Sequence, residues 1–323
     1  MKSHTYQPTK HPDLDKLVDS EGGWEFYFHK PTKRFLRSVT GWIGLGYAKG
    51  KWFEEWLLKM TREDAAEILK TAGDRGDKLH QAISLLLNGT GQVTVERAGL
   101  EVLSPETRMP TVLSTREWST LGDFVQFWQK HKPTVVRNEY QVFCLDEVGM
   151  AGTLDAIIIL TRPCGEKSCG CGEFINIPII ADWKTGSAIR PSYRAQIAAY
   201  KRCLDDMAGG NSGIRGGMNL RIGTKHKCGY ETEFYDLHSL GGGLEAFNAA
   251  RVIAIDNLGL KDFSKQFDPE KDIYEIPDSL TLEVKQQGGK DEFGAPQDDD
   301  SRPRPDLEKP KTKKTDKRPS LTD

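Results

Sequence analysis

Apolar and polar residues follow two rhythms along the chain. From Gly50 to about Leu87 the spacing is helical. KWFEEWLLKM sets Trp52, Phe53, Trp56 and Leu57 on one stripe, and its two tryptophans are expected to be core. TREDAAEILKTA opens with Thr61 and then Asp64, the pattern of a helix N-cap. RGDKLHQAISLLLNG puts Leu79, Ile83, Leu86 and Leu87 on one face and stops at Asn88-Gly89. STREWSTLGDFVQFWQKHKP predicts another helix, ended by Pro133. The rhythm then shortens: TVVRNEYQVFCL, MAGTLDAIIIL and EFINIPIIADWK are rich in strand formers and separated by turn signals. SYRAQIAAYKRCLDDMAG returns to helix, NLRIGTKHKCGYETEFYDL predicts two more strands, and GLEAFNAARVIAIDNL a final helix.

This order predicts an α/β (α+β) fold, with a central mixed β-sheet flanked by helices. Residues 1–37 are expected to be an irregular lead-in. A single domain is expected over 38–275, its helical part at 38–133 and its sheet core at 134–258. From about Ile276 apolar periodicity is lost. The segment 276–323 is rich in Pro, Gly and charge, with an acidic run before a basic one, and is expected to be a disordered tail.

Composition narrows the function classes. The chain has 323 residues, 37% hydrophobic and 28% charged, with a formal net charge of −2. That balance supports a real core and gives no global electrostatic sign of a nucleic-acid partner, leaving room only for a local basic groove. No apolar run reaches about 18 residues, so no membrane span is expected. The polar start MKSHTYQPTKHPDLDK lacks the apolar segment of a secretory signal, so an intracellular location is expected.

One stretch carries the chemistry. IIADWKTG, residues 179–186, ends an apolar strand in Asp182, Trp183 and Lys184 before a Thr185-Gly186 break. Strand side chains alternate, so Asp182 and Lys184 point to one face. Either the two charges neutralise each other or they face something that needs both. Asp155 lies in the preceding predicted strand and Glu139 at the start of the one before that. If the three strands form a meander, Glu139, Asp155 and Asp182 converge. Clustered carboxylates repel unless a cation is present, and hard oxygen donors suit Mg2+ or Mn2+. A lysine beside them can orient a water or stabilise charge developing at phosphorus, which is the chemistry of phosphodiester hydrolysis. Gln196 and Tyr200, spaced i and i+4, share a helix face that can point back at the same place.

The ordered set GTLD, IIADWKTG and QIAAY resembles the core of the PD-(D/E)XK nuclease superfamily, in particular its RecB-like exonuclease branch. DRGDKLHQAI is similar to the upstream helix of that branch, in which a histidine follows a small glycine-rich turn. The resemblance covers roughly residues 73–200. It implies a restriction-endonuclease-like core in which Asp155 and Asp182 bind metal, His80 adds a ligand, Lys184 is catalytic, and Gln196 and Tyr200 shape the DNA-facing edge. Glu139 resembles the extra acidic residue of several phage-type members. The implied protein is a Mg2+- or Mn2+-dependent deoxyribonuclease, an exonuclease of recombination, repair or replication. It would work in the cytoplasm, as a phage-encoded enzyme does in a bacterial host. The basic end of the tail is either a solvated segment or a tether for nucleic acid or for a recombination or replication partner. The rival readings are a catalytically silent nucleic-acid-binding scaffold on the same fold and a structure-specific endonuclease.

Six cysteines remain, three of them in PCGEKSCGCGE. Some RecB-like nucleases hold an iron–sulfur cluster with one cysteine before the core and three after it. Cys164, Cys169 and Cys171 instead lie between Asp155 and Asp182, so that reading does not carry over. The insertion suggests a β-hairpin excursion. A small Zn2+ knuckle would use these three thiolates and a fourth ligand from Cys144, Cys203, Cys228 or His226; the alternative is a Gly-rich turn whose reduced cysteines are incidental.

Overall fold

The computed structural model describes residues 10–18, 25–89, 96–165, 169–226 and 228–257, together with the short strand β1 (His4–Thr5). The predicted tail lies outside the described residues. Among the described residues ten further strands and six α-helices follow. They are β2 (Leu14–Val18), β3 (Glu25–His29), β4 (Arg34–Arg37), α1 (Val39–Gly46), α2 (Lys51–Leu57), α3 (Arg62–Leu87), β5 (Leu100–Leu103), β6 (Pro110–Val112), α4 (Thr115–His131), β7 (Thr134–Cys144), β8 (Met150–Ile159), β9 (Pro178–Lys184), α5 (Pro191–Met207), β10 (Gly216–Ile222), β11 (Tyr230–Tyr235) and α6 (Leu237–Asn257).

The centre is a five-stranded sheet of order β11-β10-β9-β8-β7. β7, β8 and β9 form an antiparallel meander, β9 and β10 pair in parallel across the α5 connection, and β10 turns back into β11. The expected mixed sheet with flanking helices is therefore present. Alternation along β9 explains how one strand serves two layers. Ile179, Ala181 and Trp183 join Leu79 and Ile83 of α3 and Phe124 and Phe127 of α4 on one face. Ile180 joins Trp42 of α1, Ile197 of α5 and Phe247 of α6 on the other. Asp182 and Lys184 inherit the α5-facing side.

Helix boundaries follow local chemistry. The Thr61 hydroxyl accepts from the Asp64 amide at 3.1 Å, as its spacing predicts. Ser114 and Glu117 form a reciprocal capping box at the start of α4. The turn expected before His80 does not form, since α3 runs unbroken through Gly73 and Gly76. Each glycine costs a helix roughly 1 kcal/mol relative to alanine, less than a long packed helix recovers. Gly76 also lets α3 approach the strand end: a Cβ there would stand 3.4 Å from Thr185 Oγ1.

Three further expectations are corrected. The described residues 14–18 and 25–37 are not an irregular lead-in: β2, β3 and β4 form an antiparallel sheet. Its Leu14, Tyr27 and Leu36 pack against Ala151 of β8. Trp56 is only half-buried, stacked on Phe53 at 5.6 Å, so the α2 stripe is not core; the side chain of Trp52 lies outside the described residues. The described part of the β8–β9 connection is a loop with a one-turn 3-10 helix at Cys171–Phe174 and a single bridge between Leu160 and Ile175, not a hairpin. No helix among the described residues is long and apolar enough to cross a membrane.

Candidate active site

The ladder between β8 and β9 ends at Ala156 opposite Ala181. Asp155 and Asp182 are the next residues along each strand, and there the strands are no longer paired. The Asp155 carboxylate takes over as acceptor: Trp183 N–H donates to its Oδ2 at 2.7 Å. Its Oδ1 lies 3.0 Å from His80 Nδ1 on α3. Lys184 Nζ donates to Asp182 Oδ1 at 2.8 Å and to Gln196 Oε1 at 3.2 Å. Gln196 Nε2 in turn donates to Asp182 Oδ1 and to the Tyr200 hydroxyl, both at 3.3 Å. Lys184 also stands over the Tyr193 ring at 4.8 Å. Gly152 makes room for this arrangement, because a Cβ there would lie 2.6 Å from the Tyr200 ring.

Glu139 lies in the middle of β7, not at its start, and in the left-handed region at φ 49°. A non-glycine residue held there costs on the order of 1–3 kcal/mol, and such strain collects at functional sites. His80, Glu139 and Asp155 each bring a ligand atom within 4.8 Å of the other two. Asp182 is not in that trio; Lys184 occupies its carboxylate. The seven residues singled out from the sequence nevertheless line one cleft of about 640 Å³. The cleft has another wall that the sequence did not reveal: Asp15 and Lys16 of β2, Glu25 and Tyr27 of β3, and Asp77 of α3. Tyr27 and Thr153 hydroxyls hydrogen-bond at 3.1 Å, and Lys16 pairs with Glu25 at 2.6 Å.

Burial dominates the electrostatics of the cleft. Burial, reinforced by the Asp155 charge, pushes Glu139 up to about 7. Burial pushes Asp182 up to about 6, against the pull of Lys184 and with the repulsion of Asp155. Burial opposes the charge of His80, yet Asp155 outweighs it and raises His80 to about 9. The imidazolium therefore neutralises Asp155 in this arrangement. Lys184 is raised in spite of burial, because Asp182 and Asp155 favour its ammonium form. Asp182 Oδ2 is shut off from water and has the Lys184 ammonium, 2.7 Å away, as its partner. Two carboxyls held above their usual range and a proton on His80 where a cation would neutralise Asp155 both fit a hard divalent ion.

A second groove, of about 610 Å³, begins at Thr185-Gly186-Ser187, directly after Lys184. Arg75, Arg116, Arg221, Lys225 and His226 line it. One of these, Arg221, is paired with Glu231.

The cysteines divide. Cys144 and Cys203 are buried in the layer of α1, α5 and α6, far in the fold from the cysteine loop. His226 is exposed in the basic groove, and the Cys228 thiol donates to Tyr230 O at 3.2 Å. Cys164, Cys169 and Cys171 meet one another instead on the α3–α4 side of the sheet.

No protein-family model matches the chain, and no curated protein matches it. A solved structure described as "Crystal structure of SSO0001" is similar over 46% of this chain and 60% of that one, at 13% identity and a TM-score of 0.27.

Proposed function

We propose that the chain is a metal-dependent DNA nuclease of the PD-(D/E)XK type, working as an exonuclease in recombination, repair or replication. The observation that carries this reading is the convergence of Asp155, Asp182 and Lys184 at the splayed ends of β8 and β9, with Glu139 and His80 beside them. Structural ion pairs do not need three carboxyls, two of them held above their usual range. A cation cluster does.

Glu139, Asp155 and His80 would hold a Mg2+ or Mn2+ ion, with Asp182 at the open side. A divalent ion bound there would polarise phosphate and lower the pKa of water. Lys184, fixed by Asp182 and Gln196, presents an ammonium that orients the attacking water and offsets negative charge gathering on the phosphate oxygens. Gln196 keeps Lys184 and Asp182 in register, and Tyr200 holds Gln196 from behind. Arg75, Arg116 and Arg221 in the adjoining groove supply a path for a phosphate backbone, whose charge dominates nucleic-acid affinity.

The test is to incubate the full chain with end-labelled linear duplex and with covalently closed circular DNA, in Mn2+ and in chelator. The reading expects metal-dependent release of short products from the linear DNA alone. Cleavage of the closed circle would make it an endonuclease. Salt-sensitive binding without cleavage of either would make it a silent scaffold.

A further inference from the structure

Behind the catalytic strands, on the face covered by α3 and α4, lies a second cluster. His131 ends α4, and the loop from β8 to β9 brings Cys164 and Cys169 to it; one ligand atom from each lies within 4.8 Å of the other two. Cys171 Sγ is 3.5 Å from Cys164 Sγ, and the Cys164 amide donates to Cys171 Sγ at 3.3 Å. We propose that His131, Cys164, Cys169 and Cys171 form a tetrahedral Zn2+ site, separate from the cation site of the cleft.

The donor set decides the metal. Three thiolates and an imidazole are soft and borderline donors, a set that zinc takes in closed structural sites and that Mg2+ or Mn2+ does not. Zinc–sulfur bonds of about 2.3 Å at tetrahedral angles put two sulfurs about 3.8 Å apart, close to the 3.5 Å between Cys164 and Cys171. His131, Cys164 and Cys169 are already gathered, and Cys171, outside that 4.8 Å trio but in contact with Cys164, would be drawn in by a shift of the loop. On binding, the S–H bonds of Cys164, Cys169 and Cys171 break and three protons go to solvent. His131 contributes a ring lone pair, and no electrons are transferred.

The site also has a physical purpose. The loop it closes joins the strands that carry Asp155 and Asp182. His131 is fully buried and packs its ring, tilted, against Phe127 at 4.5 Å, one turn of α4 beyond Phe124, which meets Trp183 edge-on at 5.3 Å. A zinc ion here would tie the β8–β9 loop to the helix that supports Trp183, and so fix the strand ends without touching substrate. Nothing in the sequence spacing points to His131, which stands 33 residues before Cys164 and joins it only through the fold.

The test uses untagged full-length protein purified without added metal and dialysed against a mild chelator, which strips the oxygen-lined cleft first. Metal content by mass spectrometry should give about one equivalent of zinc in wild type and in Asp182→Asn, and less than about a tenth in His131→Ala and Cys169→Ser. If those variants do not fold, wild type exchanged with Co2+ should show a thiolate-to-cobalt charge-transfer band and tetrahedral d–d absorption. Any of four results overturns the proposal: wild type with less than about a tenth of an equivalent and no cobalt spectrum, iron in place of zinc, a Cys164–Cys171 disulfide in the intact mass, or full zinc retention in His131→Ala.

Discussion

Asp155 accepts a 2.7 Å hydrogen bond from the Trp183 amide immediately past the last paired residues of β8 and β9. A carboxylate thus replaces the backbone acceptor the ladder would have supplied. One of its oxygens is fixed by the neighbouring strand, and the other is turned to His80. Position and charge of Asp155 are therefore separable. Asparagine can still accept from the Trp183 amide, but it cannot offer a full negative charge to a cation.

The first prediction uses that separation. Asp155→Asn should melt below the wild-type temperature in chelator, because it leaves the His80 imidazolium without its carboxylate partner. Saturating Mn2+ should raise the wild-type melting temperature and raise that of the variant much less, since ligand binding stabilises through affinity for the folded state. Thermal melts with and without Mn2+ check this. Equal rises would remove Asp155 from the ligand set.

The second concerns pH in the absence of metal. Glu139 is held up to about 7 by burial and by Asp155, above its usual carboxyl value, so the folded state keeps its proton more tightly than the unfolded chain. Its ionisation costs stability as pH rises through about 7. His80, raised to about 9 by Asp155 against burial, acts in the same direction: its contribution is complete below about 6.5 and is lost as pH passes about 9. In chelator the melting temperature should fall from about pH 5 to about pH 9, and Glu139→Gln should flatten the fall below about pH 7.5. Parallel curves for the two proteins would show that Glu139 does not titrate in this range.

The third concerns packing. Gly152→Ala places a methyl group 2.6 Å from the Tyr200 ring. Overpacking of that kind costs about 1–3 kcal/mol. Urea unfolding should show this loss in the single variant and a smaller one when the change is made in Tyr200→Ala, because the clashing partner is gone. An additive double variant would mean that the ring does not determine the glycine.

Much of the site was legible because its signals are local. Alternation in IIADWKTG put Asp182 and Lys184 on one face, and i, i+4 spacing put Gln196 and Tyr200 on another that meets it. The meander then follows from three adjacent strands joined by short turns or a loop. What the sequence hid is set by long-range packing. LDKLV, EFYFH and RFLR are too short to declare themselves, and such hairpins are marginal alone. They become a sheet only because Leu14, Tyr27 and Leu36 find Ala151. That sheet brings Lys16 and Tyr27 to the cleft. The α2 stripe misled for the opposite reason: its periodicity is real, but Leu57 and Leu58 stay exposed because no described element covers that face. The trio of His80, Glu139 and Asp155 depends on the left-handed backbone at Glu139, which no periodicity announces.

The central claim is that Asp182 and Lys184 serve metal-dependent phosphodiester hydrolysis. The most direct measurement is the initial rate of nucleotide release from linear duplex DNA in Mn2+ by wild type, Asp182→Asn and Lys184→Ala, each first matched to wild type by circular dichroism. The account predicts a rate that vanishes in chelator and falls by at least about 10²-fold in both folded variants, the loss typical when a charge-stabilising group is removed from an active site. Wild-type rates in either variant, or no metal-dependent cleavage of any DNA by wild type, would contradict it.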